Sequence, residues 1–352
     1  MSYKDGWAAL NLEMPDRVPH TEYSLHMHLD AARKLAGIDA TPQSSGEVKM
    51  QVRQTIFKYF NYDIFGNQIC HSDIFGNKCT KMGHAVYQAG GVDFKDEISA
   101  LYTDVDEALK WDPWELYGEV DEEKARAQFD QHYQNEVKLN GDLVSMTGIY
   151  CTLVSGLIEV FGWDTLLGMA GADPDGFEAV TNRYADWMLH YFKALAKSKA
   201  PVVRVHDDMV WTSGAFMNPD WYRKFIFPNY KKLWAPLHEA GKNIVYTCDG
   251  NFTQFIDDVV DVGMNAFMME PTTDMAYIAE KYGKTHAFIG NAETRVLLLG
   301  TKDDIRAEVK RCMDIGKKYP GFFMAVGNHI PPNTPVDNVL YYYDAYVEMG
   351  KR

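Results

Sequence analysis

Apolar residues in the later part of the chain fall in short blocks separated by longer stretches of mixed polarity. The blocks are DLVSMTGI (142–149), PVVRVHDDM (201–209), NIVYTCDG (243–250), AFMMEP (266–271), HAFIGN (286–291) and FFMAVGN (322–328). They are short, and mostly β-branched or aromatic at their centres. That pattern predicts parallel strands buried on both faces. The stretches between them predict helices. Asn218 before Pro219 is an N-cap with proline in the first turn. The helical region that follows breaks near Pro228 and stops at Gly241. Thr301 and Asp304 form a capping arrangement ahead of a further helix.

The first part of the chain is less regular. RVPHTEYSLH (17–26) and QICHSDIF (68–75) predict two more strands. The sequence between them is largely helical, as is the acidic stretch from Asp104 to Gln134. Two early and six later strands make eight, the number of a (β/α)8 barrel. The expected fold is therefore α/β: a single TIM-barrel domain over 1–352 with an irregular, helix-rich N-terminal part. A doubly wound open sheet is the structural alternative, but no GxGxxG follows a strand to favour it. DIFGN occurs at 63–67 and again at 73–77, which predicts two similar turns.

Polar residues gather at the C-terminal ends of the predicted strands. His206, Asp207 and Asp208 end one strand, and Cys248 and Asp249 the next. Glu270, Asn291 and Asn328 with His329 end the three that follow. In a barrel these ends share one rim, where the βα loops build the active site. Buried carboxylates cost several kcal/mol each unless paired or liganded, so the convergence predicts catalysis. Cys248, Glu270 and His329 are candidate metal ligands, because zinc accepts thiolate, carboxylate and imidazole together. Cys248 is equally readable as a small buried thiol. His206, Asp207, Tyr246 and Asp249 are the candidate catalytic residues. One aspartate of the Asp207–Asp208 pair is also readable as a helix cap. His26, Asp73, Asn291 and Asn328 are candidate substrate contacts. His26 is alternatively half of an exposed loop pair with His28, and Asp73 a turn residue.

A net charge of −14 argues against nucleic acid as a partner. No apolar run approaches the roughly 20 residues of a membrane span. The N-terminus lacks a basic region followed by an apolar stretch, so a cytoplasmic protein without membrane attachment is expected. Five cysteines, Cys70, Cys79, Cys151, Cys248 and Cys312, are widely spread and odd in number, which argues against a disulfide framework.

From residue 15 to its end the chain resembles the uroporphyrinogen-decarboxylase superfamily. The matching segments, in order, are PDRVP (15–19), SDIFGNKCTKMG (72–83), NPDWYRKFIFPNYKKLWAPLHEAG (218–241), YTCDGN (246–251), MMEPTTDM (268–275), FIGNAETRVLLLGTKDDI (288–305) and GNHIPPNTPVDNVLYYYDAY (327–346). True uroporphyrinogen decarboxylases carry an arginine-rich segment after the first strand. Here that region is EYSLHMHLD (22–30), without arginine. Each missing charge-assisted bond is worth about 1.5–3 kcal/mol, so a porphyrinogen substrate is rejected. Asp73 matches the family's pyrrole-binding aspartate. The other branch is the zinc- and corrinoid-dependent methyltransferases, whose zinc motif is His-x-Cys with a later Cys. The matching positions read Tyr246, Thr247, Cys248 and later Asn328, so one ligand of three is kept, with Glu270 and His329 as candidate replacements.

The resemblance implies a corrinoid-dependent methyltransferase of O-demethylase type. Its methyl donor would be a small, methoxylated aromatic compound. The acceptor would be the cobalamin of a separate corrinoid protein, since no DxHxxG corrinoid module is present. Zinc would assist, His206 or Tyr246 would stabilise the leaving phenolate, and a homodimer is compatible with the reading. The alternative is a metal-independent decarboxylase of a small carboxylated compound using Asp73 and His206. A non-enzymatic binding protein is a third reading, weakened by the cost of the converging carboxylates.

Overall fold

The computed structural model describes residues 1–69, 71–81, 86–88, 91–93, 99–150 and 152–352, with the backbone alone at 71, 86–88 and 91–93. Cys70 and Cys151 lie outside the described residues. The parallel strands are β1 (Ile64–Phe65), β2 (Val144–Ser145), β3 (Thr147–Tyr150), β4 (Val202–His206), β5 (Asn243–Cys248), β6 (Ala266–Met269), β7 (Ala287–Ile289) and β8 (Phe322–Phe323). Two compact units divide them. The first comprises 1–66, 135–145 and 265–352, and the second 67–134 and 146–264.

In the first unit β6 pairs with β7 and β7 with β8, all parallel. β1 pairs with β2, Ile64 opposite Val144. His20 bridges in parallel to both Tyr62 and Met324. The strand expected over 17–26 is therefore reduced to a bridge, and the chain turns into a 3-10 helix at Leu25–Met27. The cause is local. Pro19 has no N–H to donate, and the His20 N–H goes to the Asp63 carboxylate at 2.9 Å instead of to a neighbouring strand. Asp63 also receives both guanidinium ends of Arg17, at 2.7 and 2.6 Å, which gives the PDRVP motif a structural role.

In the second unit β3, β4 and β5 form a parallel sheet, Tyr150 opposite His206 and His206 opposite Thr247. Their residues are almost all buried, as strands covered on both faces must be. Gly148 is required by this sheet, since a Cβ there would lie 1.7 Å from the Arg204 carbonyl oxygen. Ile69 bridges in parallel to Ile149, but 71–75 is helical, so the strand expected over 68–75 is corrected to a single bridge followed by a helix. The apolar run that does form a strand lies earlier, at Ile64–Phe65. The two DIFGN copies therefore differ, one entering a strand and the other ending a helix. Pairing with Val144 and Ser145 decides the first copy, and tertiary context overrides propensity.

The helical expectations hold. Asn218 caps Asp220 N at 2.9 Å, and a π-turn at Tyr222–Ile226 precedes a new helix, Phe227–Glu239, with Pro228 in its first turn. Thr301 and Asp304 form a reciprocal capping box. Counting the bridges, eight extended segments alternate with helices: around His20, 62–69, 144–150, 202–206, 243–248, 266–269, 287–289 and 322–324. This is the expected α/β, TIM-barrel class with a helix-rich N-terminal part, including Leu29–Ala36 and Gly46–Tyr59. Among the described residues no helix is long and apolar enough to cross a membrane.

Candidate functional site

Three neighbouring strand ends in the second unit bring one histidine, two aspartates and one tyrosine together. β4 ends at His206, β5 at Cys248 and β3 at Tyr150. His206 Nε2 lies 2.8 Å from Asp208 Oδ1 and 4.0 Å from Asp249 Oδ1. The Asp249 N–H donates to the same Asp208 oxygen at 2.9 Å, and the Tyr150 hydroxyl donates to the other at 3.4 Å. The Tyr150 ring stands edge-on to His206, with centroids 4.4 Å apart. Exposure rises outward, from 9% for the His206 side chain to 27% for Asp208 and 39% for Asp249. The cluster is thus anchored in the sheet and open on one side.

Its electrostatics follow from two carboxylates around one imidazole. Burial opposes charge on His206, but Asp208 and then Asp249 outweigh it and hold the pKa above the ordinary histidine value. Burial likewise opposes charge on Asp208, and the His206 interaction outweighs it, holding that carboxyl below its usual range. Ligand atoms of His206, Asp208 and Asp249 all lie within 4.8 Å of one another, the one such cluster among the described residues.

The other expected residues of this unit lie elsewhere. Asp207 is fully buried and faces away from His206. Its Oδ2 accepts from Leu153 N (3.1 Å), Val154 N (3.0 Å) and the Tyr230 hydroxyl (2.6 Å), and its Oδ1 from Ser155 N and Oγ (both 2.6 Å). Both oxygens are occupied, and through them Asp207 caps the helix Val154–Ala172. Tyr246 is fully buried among Tyr230, Trp234 and Phe252, its hydroxyl 3.4 Å from the Asp207 carbonyl oxygen. Cys248 is fully buried, and its thiol donates to the Asp249 carbonyl at 3.3 Å. Burial, then the Asp208 charge, pushes that thiol well above its ordinary pKa. Strand alternation puts Tyr246 and Cys248 on one face of β5 and Thr247 on the other. Asp73 is exposed, on the short helix His71–Phe75.

The first unit holds the remaining expected residues. Asn328 Nδ2 donates to Glu270 Oε1. Asn328 Oδ1 accepts from His329 N at 2.6 Å. Asn291 is buried, donates to the carbonyls of Glu270 and Thr273 at 3.2 Å, and accepts from Arg311 at 3.0 Å. Its amide is thus engaged in holding a loop. The expected zinc set is divided between units, Cys248 in the second, Glu270 and His329 in the first.

The His26 ring sits edge-on to Phe57 and Phe65, and its buried Nδ1 has no hydrogen-bond partner among the described residues. Burial, with Arg53 and His329 adding to it, lowers its pKa to about 3. A depressed histidine stabilises the fold above its unfolded pKa and loses that contribution as pH falls toward the folded value. At pH near 4.5 the linkage amounts to about 2–3 kcal/mol. His26→Asn is accordingly expected to flatten the loss of stability between pH 7 and 4.5 by that amount, read by urea unfolding at both pH values. An unchanged pH difference would contradict the assignment.

Sequence reasoning grouped Asp208 with His206 and Asp207 but selected Asp207 of the two aspartates, and it passed over Tyr150 as a site residue. A signal for Asp208 existed: residues two apart share a face, so it follows His206 and Asp207 does not. Tyr150 carried none, because its place depends on the register of β3 against β4.

A family model described as uroporphyrinogen decarboxylase (URO-D) matches residues 124–349. Among curated relatives, the uroporphyrinogen decarboxylase of Geobacter sulfurreducens is 24% identical over 213 residues, 60% of this chain and 61% of that protein. That of Thermus thermophilus is 28% identical over 212 residues, 59% of this chain and 60% of that protein. The chain thus spans about three fifths of the length of these relatives. A solved methyltransferase from Methanosarcina mazei shares the fold, with 18% identity, a TM-score of 0.67 and 99% of each chain covered. With the family model matching well over half of its residues, the chain belongs to the uroporphyrinogen decarboxylase (URO-D) family.

Proposed function

We propose that this chain is a metal-assisted methyltransferase. It moves a methyl group from a small methoxylated aromatic compound to the cob(I)alamin of a separate corrinoid protein. The observation that carries the reading is the His206, Asp208 and Asp249 cluster at adjoining strand ends. The likeness in fold to the Methanosarcina mazei methyltransferase supports it. The absence of arginine from 22–30 weighs against a polycarboxylate substrate.

The donor set fits a divalent ion. One imidazole nitrogen and two carboxylate oxygens make three protein ligands, the number of a catalytic zinc site that keeps a position open. His206, Asp208 and Asp249 would hold the ion, and Cys248, on the far face of β5 with its thiol held protonated by burial, would not. A zinc ion there would supply Lewis-acid polarisation of the ether oxygen, whose bond to the methyl carbon must break with both electrons left on oxygen. Tyr150, donating to Asp208, orients that carboxylate. A phenolate leaving group has a pKa near 10 and needs its charge met, which an ion held by the cluster would do.

The test is an assay with a methoxylated benzoate, supplied with and without cob(I)alamin. The reading predicts free phenol and methylcobalamin in equal amounts, and no turnover without cobalamin. Release of carbon dioxide from a carboxylated substrate without cobalamin would favour the decarboxylase reading. That reading draws on the family and on the His206 imidazole, whose pKa Asp208 and Asp249 hold above its ordinary value.

A further inference from the structure

The first unit contains a cavity of about 530 Å³ that the proposed chemistry does not use. Met27, Leu29, Met50, Val52 and Leu139 give it an apolar wall. Lys49 stands at its edge, exposed, and its ammonium forms no ion pair or hydrogen bond among the described residues. Arg53 also lines it, 9% exposed. Its Nη2 donates to Glu136 at 2.8 Å and to Asn140, while its buried Nε has no partner among the described residues. Stacking over Phe57 and Phe65, 5.1 and 5.0 Å from the ring centroids, fixes the guanidinium.

We infer that this cavity binds a free small-molecule monocarboxylate with an apolar body, its ring or chain against the apolar wall and its carboxylate at Lys49. Charge complementarity carries the choice of ligand. In a chain of net charge −14, an uncompensated ammonium beside an apolar cavity attracts an anion, and one cation matches one carboxylate. Arg53 already has the Glu136 carboxylate, so a dianion would lack a second free cation. The volume falls within the range of small-molecule sites, roughly 300–1,000 Å³, and suits a body of about ten heavy atoms. His26, at the same wall, is uncharged at neutral pH and neither repels nor competes for the anion.

The inference is independent of methyl transfer, so the probe carries no methoxy group. Binding of 3-phenylpropanoate to the full chain would be followed by ligand-observed NMR beside its neutral amide. The acid is expected to bind with Kd on the order of 1 mM, and the amide about fivefold more weakly. Lys49→Gln should remove that preference while leaving the weaker binding of the amide. Gly46 lines the cavity, and a Cβ added there would meet nothing within 4 Å, so Gly46→Phe starts a bulky side chain from open space at the cavity. This variant should abolish binding of both probes at an unchanged melting temperature. Equal affinity for acid and amide, a preference that survives Lys49→Gln, or no saturable binding up to about 20 mM would overturn the inference.

Discussion

Asp208→Asn is expected to lower methyl-transfer turnover by about 10³-fold while the melting temperature changes by only a few degrees. Asparagine preserves the size of the side chain and an oxygen for the Asp249 N–H. It removes the charge that pairs with His206 at 2.8 Å. One of the two carboxylates that give the cluster its negative field is lost, and with it a strong ligand for a cation. Asp249→Asn should cost less, about 10–100-fold, because that side chain lies farther from His206, at 4.0 Å, and is more exposed. Steady-state kinetics with parallel melting curves would check both. Turnover of Asp208→Asn within about threefold of wild type would remove the cluster from the reaction.

The adjacent aspartate should behave in the opposite way. Asp207→Ala is expected to destabilise the fold by about 4 kcal/mol, since it strips the acceptor from buried donors of the Leu153–Ser155 segment and of Tyr230. The helix Val154–Ala172 has no side-chain cap of its own at Leu153, and Asp207 supplies that cap from 54 residues away. The Tyr230 hydroxyl, fully buried, would also lose its 2.6 Å acceptor. Asp208→Ala, by contrast, should cost under about 1 kcal/mol, because Asp208 is 27% exposed and water can replace it. Urea unfolding of the two alanine variants would reveal the order, and a larger loss at Asp208 than at Asp207 would contradict the division of labour.

That pair also marks how far sequence reasoning reaches. The block PVVRVHDDM identified a strand and its polar end, because burial on both faces leaves an unmistakable apolar run. Selecting among His206, Asp207 and Asp208 needed the face each occupies, and the period of two supplies it once the strand is placed. The same consideration separates Cys248 from Asp249. Proximity to a strand end chose both, and only the direction of the side chain distinguishes a buried thiol from a site carboxylate. Tyr150 was beyond reach, as its contact with His206 follows from inter-strand register.

The early strands were harder for a different reason. Around His20 the ladder is interrupted by Pro19 and by the Asp63 side chain, a partner 43 residues away in the sequence. DIFGN shows that five residues do not fix a conformation: one copy lies against Val144 and the other closes a helix turn. Asn291 and Asn328 were legible as polar strand ends, and the structure places them in a hydrogen-bonded group with Glu270.

The most direct test is zinc binding to the wild-type chain and to single variants, measured by elemental analysis after dialysis. The account predicts about one ion per chain in the wild type and in Cys248→Ala, and its loss in His206→Ala and Asp208→Asn. Loss of the ion in Cys248→Ala, with retention in the other two, would contradict it.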